Sequence, residues 1–488
     1  MAETSLKNKT IKGVGWSAAD AFLGQGVTFI VGLVLARILS PDEYGLIGIV
    51  TIFTTILMGF VDSGFSSALI RKNDVTNDDY NTMFVINFVV SVVMYLLLYA
   101  SAPWIALFFN CPELNGLVKV MGLIVIIQAL SIVQNTLLTK RIDFKTKTKA
   151  SAISAGLSGV LGIGMALSNC GVWALVGQQI SRQLLYTGCL WYFNKWTPRL
   201  SFSSNSFRYM WGFGWKMMLS GFLNNVWSQL YQTVVGKFYS PATLGQYSRG
   251  REYAYIFSAN FTSIVQRVSY PALSEIQDNK ERLLAAYRKV IKTTMFVTSI
   301  IMISMAAVAE PLVYCLIGPQ WHQAATFMPL ICLTLSFYPL HAINLNMLQV
   351  QGRSDLFLYL EIIKKIISII PLALGIFVGI YWMLAGSVVN SLIGFFLNSW
   401  YSGPSLGYSS WRQLKDVAPS YGLALLIALS VYFFKYLPFT YYIILPIQII
   451  VGIIVFFTIC EKTKMEEYCE VKSIALQYLS KKKTLNNE

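Results

Sequence analysis

The sequence predicts an all-α polytopic membrane protein: fourteen transmembrane helices, arranged as two parallel six-helix repeats plus two C-terminal helices, with both termini cytoplasmic. Three observations predict it. The 488 residues are 55% hydrophobic and only 12% charged, with a mean hydropathy of +0.56, a composition outside that of soluble domains. Apolar stretches of about 20 residues, the length that crosses about 30 Å of hydrocarbon, alternate with short turns. The basic residues keep time with the turn count. Odd-numbered loops and their borders hold only Arg37, Lys237 and Lys435, while the N-terminus, the even-numbered loops and the tail hold most of the rest, so the positive-inside rule sets the orientation.

Taken in order, the stretches fall at 14–36, 44–62, 82–105, 116–138, 150–168, 172–193, 212–236, 245–271, 293–315, 325–349, 356–378, 380–401, 417–434 and 440–460. The first lacks a small-residue cleavage site and continues into a span, so it reads as an uncleaved first helix. Residues 1–200 form an N-lobe of spans 1 to 6, and 201–405 a C-lobe of spans 7 to 12. Spans 13 and 14 occupy 406–460, and 461–488 is a basic cytoplasmic tail. The lobes are repeats of one another. Ser40-Pro41 and Tyr44-Gly45 are answered 200 residues later by Ser240-Pro241 and Leu244-Gly245. Gly15-Trp16 faces Gly214-Trp215, Ala102-Pro103 faces Glu310-Pro311, and Lys140-Arg141-Ile142-Asp143-Phe144 faces Gly352-Arg353-Ser354-Asp355-Leu356. Six spans per repeat give both halves the same orientation, the parallel arrangement of alternating-access transporters with a site between two lobes. Spans 13 and 14 then line a lateral groove or pad the bundle. In the tail, the spacing of Met465, Tyr468, Val471, Leu476 and Leu479 predicts a weakly amphipathic helix on the membrane surface, with Lys481, Lys482 and Lys483 on anionic lipid.

The net charge of +15 does not point to nucleic acid, because most of the basic residues sit at the cytoplasmic ends of spans. The seven cysteines show no CxxC spacing and no clustering with His322 or His341, so neither a metal nor another cofactor is indicated. Cys111, Cys170 and Cys315 lie near the outer ends of spans, where a disulfide is an open alternative. Asp78-Asp79, in a short cytoplasmic loop, reads as a helix cap rather than a metal site.

Charges inside spans carry the functional signal, since each costs about 2.5–3.5 kcal/mol at the bilayer centre unless it faces water or a partner. Arg182 sits midway along span 6 in Gln178-Gln179-Ile180-Ser181-Arg182-Gln183, either facing a cavity or forming a structural knot between helices. On span 8, Arg249, Glu252, Asn260, Ser263 and Arg267 fall within roughly 80° of arc, a face that lines something wet, although Arg249 and Glu252 can pair with each other. Arg251 lies beside them. Span 7 adds Lys216, Ser220, Asn224 and Ser228 at four-residue steps, with Trp227 and Tyr231 alongside. Asp20 on span 1 is a counter-ion to Arg182 or, with Glu252, a candidate site for proton or sodium coupling. Glu361, Lys364 and Lys365 on span 11 read as an ion pair with snorkelling lysines. The candidate binding set is therefore Arg182, Lys216, Arg249, Arg251, Asn224 and Arg267, a cationic cavity for an anionic cargo; arginine forks suit phosphate.

The Leu35-Ala36-Arg37-Ile38-Leu39-Ser40-Pro41-Asp42-Glu43-Tyr44-Gly45 stretch, its echo at Tyr239-Ser240-Pro241 and the Arg141-Ile142-Asp143-Phe144 turn resemble Wzx-type polysaccharide and O-antigen flippases. The likeness is to the lipopolysaccharide-biosynthesis, colanic-acid-like exporter branch of the multidrug/oligosaccharidyl-lipid/polysaccharide exporter superfamily, and it covers essentially the whole chain. The resemblance implies a transporter, not an enzyme, that moves undecaprenyl-diphosphate-linked oligosaccharide to the outer leaflet of a bacterial cytoplasmic (inner) membrane. Its partners would be that lipid-linked oligosaccharide, anionic lipids and polysaccharide polymerase or assembly proteins. A peptidoglycan-precursor flippase or a multidrug antiporter of the same superfamily is the alternative. A polymerase or ligase is disfavoured, because the outer loops are short and nearly free of acid, base or substrate-clamping residues.

Overall fold

The computed structural model describes residues 24–62 and 64–473, which are helical with no strand among them, and it divides into two compact units, one ending at Gly245 and the other beginning at Gln246. Asp20, Leu476, Leu479 and Lys481 to Lys483 lie outside the described residues.

In the first unit the helices are α1 (Gly24–Ile38), α2 (Pro41–Val61), α3 (Phe65–Arg71), α4 (Asn77–Phe109), α5 (Leu114–Met121), α6 (Leu123–Lys140), α7 (Phe144–Leu167), α8 (Val172–Asn194) and α9 (Ser204–Phe238). α10 (Pro241–Glu275) starts in this unit and continues in the second. Local chemistry sets the starts. Ser40 and Glu43 form a reciprocal capping box ahead of α2, with Pro41 in the first turn, where its missing N–H costs nothing. Thr76 and Asp79 do the same for α4, and Asp79 also accepts from Lys72 at 2.7 Å, so the Asp78-Asp79 pair is a cap. The core joins α3, α4, α6 and α9 through Phe65, Leu69, Met83, Val125, Val133 and Met210.

The two repeat seams meet inside this unit. A Cβ built on Gly45 would lie 1.7 Å from the Pro241 carbonyl oxygen, and one on Gly245 would lie 2.0 Å from that of Pro41. The contact is reciprocal, and it excludes every side chain larger than a hydrogen atom at both positions.

The second unit contains α11 (Lys280–Ala307), α12 (Ala309–Ile317), α13 (His322–Ser336), α14 (Tyr338–Val350), α15 (Ser354–Ile367), α16 (Ile369–Phe377), α17 (Ile380–Ser402), α18 (Ser410–Tyr432) and α19 (Tyr441–Thr463). Four expected spans are broken in two: α5/α6 at Gly122, α11/α12 at Val308, α13/α14 at Phe337 and α15/α16 at Ser368. Pro339 accounts for the break at Phe337, since it cannot donate to the Leu335 carbonyl; Ser258 Oγ donates to that oxygen instead at 2.7 Å. α18 is hydrogen-bonded into the core rather than padding it. Tyr287 Oη and Ser402 Oγ both donate to Asn344 Oδ1 at 2.6 Å, Asn344 Nδ2 donates to Gln413 Oε1 at 3.1 Å, and Arg288 grips Asp416 with two bonds of 2.8 Å.

The first part of the tail packs against protein. Residues 466–473 form a short helix, and Tyr468 is buried with Phe296, Leu423, Ile427 and Cys460. Lys292 pairs with Glu466 at 2.7 Å and with Glu467 at 3.0 Å, and Lys289 pairs with Glu470 at 2.6 Å. Lys292 holds the Glu466 carboxyl below its ordinary value.

Nine helical stretches among the described residues are long and apolar enough to cross a membrane. Three helices of sufficient length are not among them, α8, α9 and α10, of 23, 35 and 35 residues. Those three carry the candidate binding residues.

Candidate functional site

α8 is held on one side. Thr187 Oγ1 donates to the Ile127 carbonyl at 3.2 Å, Trp191 Nε1 to the Leu130 carbonyl at 2.9 Å and Asn194 Nδ2 to Gln134 Oε1 at 2.6 Å, fixing α8 to α6. Arg182 lies about 180° around the helix from Trp191, away from that contact. It is half-buried together with Gln178, Gln179, Ser181 and Gln183. A polar run of this kind, from Gln178 to Gln183 and nearly two turns long, would be costly on a lipid-facing helix.

α9 shows the same division. Its inner face carries buried Met210 and Gly214, a Phe222–Phe60 ring contact at 4.4 Å, and Asn225 Nδ2 donating to the Thr55 carbonyl at 3.2 Å. Its other face exposes Lys216, Ser220, Asn224 and Ser228 at four-residue steps. The Lys216 ammonium lies 5.9 Å from the Trp215 ring centre.

In the second unit, α10 is stapled to α13 and α14 along a stripe of small and polar residues, Gln246, Gly250, Ala254, Ser258, Thr262 and Gln266. Gln246 donates to the Gln320 carbonyl at 2.6 Å and accepts from the Ala324 N–H at 2.9 Å, while Gln266 donates to the Ala342 carbonyl at 3.3 Å. Interhelical bonds of this kind contribute about 0.6 kcal/mol each, and small residues let the backbones approach. The opposite face carries Arg249, Glu252, Asn260, Ser263 and Arg267, all half-buried or exposed. Arg249 and Glu252 are paired at 2.6 Å, and Arg251 lies over the Tyr255 ring at 5.8 Å. The structure thus brings Arg249 and Glu252 together, and it sets Arg182, Lys216 and Asn224 on the polar faces of their own helices.

Two features were missed by sequence reasoning. The α10 staple was readable as a four-residue repeat of small and polar residues. The environment of His341 was not. Ser391 Oγ gives its one proton to the Thr334 carbonyl at 3.1 Å, so His341 Nε2, 2.9 Å away, donates to Ser391 and leaves Nδ1 to accept from Asn398 at 3.5 Å. Glu361 and Lys364 form the expected ion pair on α15. The seven cysteines, all of them described, are free thiols. Among the described residues no cluster of His, Cys, Asp or Glu is placed to hold a metal ion.

The sequence pattern of the polysaccharide biosynthesis proteins matches residues 34–326. The chain is 25% identical over 390 residues to the succinoglycan biosynthesis transport protein ExoT of Rhizobium meliloti, covering 80% of this chain and 78% of that one. It is 22% identical over 422 residues to the lipopolysaccharide biosynthesis protein WzxC of Escherichia coli, covering 84% of each. Its fold is similar to that of the lipid II flippase MurJ in an inward closed conformation, with a TM-score of 0.71 at 16% identity over 92% of this chain and 97% of that one.

Proposed function

This chain belongs to the polysaccharide biosynthesis protein family, and from that premise we propose that it is a transporter that flips undecaprenyl-diphosphate-linked oligosaccharide from the inner to the outer leaflet of the bacterial cytoplasmic membrane. The observation that carries the reading is the polar, cation-bearing face on each of α8, α9 and α10, opposite a face packed against protein. Relatives named for succinoglycan transport and lipopolysaccharide biosynthesis support the cargo class. The proposed topology has fourteen crossings, with both termini cytoplasmic: the nine apolar stretches, α8, α9 and α10, each of which reaches across about 30 Å, the α15/α16 pair, and the first span, which ends in α1.

The chemistry is electrostatic. Guanidinium forks such as those of Arg182, Arg249 and Arg267, and an ammonium such as that of Lys216, suit the acceptor oxygens of a diphosphate, while asparagines such as Asn224 and Asn260 suit sugar hydroxyls. The prenyl tail stays in lipid. Glu252 competes with the diphosphate for Arg249, so cargo binding exchanges an internal ion pair for a charged ligand. Alternating exposure of these faces to the two sides moves the head group, driven by differing affinity for cargo in the two states. Proton or sodium coupling through Glu252 or Asp20 fits this scheme.

The test is the lipid-linked saccharide inventory of cells lacking the protein, assigned by leaflet. One undecaprenyl-diphosphate oligosaccharide accumulating on the cytoplasmic side, with loss of the matching surface polymer, supports the reading. An unchanged inventory refutes it, and single repeat units stranded outside would indicate a polymerase.

A further inference from the structure

The second unit carries a cavity of about 520 Å³ away from the candidate binding faces, where the turn after α12 meets the α18/α19 connection. Its walls include Tyr314, Lys435, Phe439, Tyr441 and Tyr442. We infer that this cavity is a binding subsite for an acidic sugar of the cargo, with pyranose faces on the tyrosine rings and a carboxylate on Lys435. In the topology proposed above, both connections lie outside the membrane, so the inference rests on that reading.

The rings are held in place from behind. Tyr441 donates its hydroxyl to Glu310 at 3.0 Å and packs edge-on against Tyr314, with centroids 4.8 Å apart at 83°. Gly318, at a φ of 101°, and Pro319 fix the wall on the α12 side. A preformed aromatic wall loses little entropy on binding, and its polarised C–H partners on a sugar ring are apolar enough to stack yet carry hydroxyls that want donors nearby. Lys435 is the charged group on the lining. Its ammonium donates to Tyr432 Oη at 2.8 Å and lies 4.1 Å and 4.9 Å from the Tyr432 and Tyr436 ring centres. Among the described residues Lys435 makes no ion pair: its neighbours are tyrosine rings and a hydroxyl, and the carboxylate behind the wall, Glu310, accepts from Tyr441, which favours an anionic over a neutral saccharide. An outer-side sugar subsite would hold the glycan after reorientation and oppose its return.

The test uses the full-length protein in phosphatidylcholine nanodiscs with two lipid-free probes, a glucuronate-containing tetrasaccharide and a neutral glucan of equal length, followed by saturation-transfer NMR and calorimetry. The expected result is selective binding of the acidic probe, weakened about tenfold in Lys435→Ala by loss of a charge-assisted contact, restored in Lys435→Arg and lost in Tyr441→Ala. Equal binding of both probes, or acidic binding unchanged in Lys435→Ala, overturns the inference. Nanodiscs containing phosphatidylglycerol separate the other source of anions: saccharide binding that persists beside this lipid supports a sugar site, and occupancy by the lipid headgroup alone overturns it. The leaflet inventory of the deletion strain judges the flippase reading independently.

Discussion

α2 and α10 begin alike and then part. Ser40 and Ser240 each cap the helix that follows, Pro41 and Pro241 open it, and Gly45 and Gly245 press against the opposite seam. At the repeat offset of 200, Arg249 stands where α2 has Ile49, and Glu252 where α2 has Ile52. Ile49 and Ile52 are 0% and 1% exposed, whereas Arg249 and Glu252 pair on an accessible face. The duplicated seam supplies scaffold in both halves, and divergence one or two turns later converts a packing face into a charged one.

The harshest way to break the comparison is to give α2 the chemistry of α10. Ile49→Arg should prevent accumulation of folded protein, because a buried unpaired charge costs several kcal/mol; membrane yield and monodispersity in detergent would show it. Gly45→Val attacks the shared seam and should cost about 3 kcal/mol, at the upper end of overpacking penalties, because the clash is with backbone. Thermal unfolding of the purified protein measures that loss, and Gly156→Ala, where nothing lies within 4 Å, should not lower stability. Giving α10 the chemistry of α2 sharpens the contrast differently. Arg249→Ile with Glu252→Ile should leave insertion and melting within about 1 kcal/mol of wild type while abolishing surface-polymer synthesis, and Arg182→Ala should do the same on α8.

Smaller effects grade the two seams. Ser40→Ala removes a full capping box and should cost about 1 kcal/mol. Ser240→Ala should cost less, because at that seam Thr243 offers no carboxylate to return the bond. The slightest effect is at the tail. Glu466 has a folded pKa below the ordinary 4.5 because Lys292 pairs with it, so its contribution is present above 4.5 and fades as pH falls through the lower folded value. Amide protection in 466–473, taken relative to the intrinsic exchange rate at each pH, should therefore fall on acidification, and Lys292→Gln should remove that dependence.

The helices, the seam and the polar faces of α8, α9 and α10 were legible because each is a periodic or repeated pattern along one segment. The reciprocal Gly45 and Gly245 contact was not, since an echo in sequence reports equivalence and not distance. The breaks at Gly122, Val308, Phe337 and Ser368 escaped because the apolar runs continue through them; at Phe337 it is Ser258, on another helix, that satisfies the carbonyl freed by Pro339. The burial of Tyr468 was not legible either, because it depends on where Phe296 and the α11 lysines lie. Within the candidate site, the pairing of Arg249 with Glu252 followed from an i, i+3 spacing, whereas the staple on the back of α10 depends on where α13 and α14 lie.

The most direct measurement is flipping by the purified protein in vesicles. Undecaprenyl-diphosphate-linked oligosaccharide is placed in the inner leaflet, and its arrival outside is read with an impermeant glycosidase. Wild-type protein should expose the saccharide, while Arg182→Ala and the Arg249→Ile, Glu252→Ile pair, both folded, should not exceed protein-free vesicles. Equal exposure by wild type and variants would show that the charged faces of α8 and α10 do not carry the cargo.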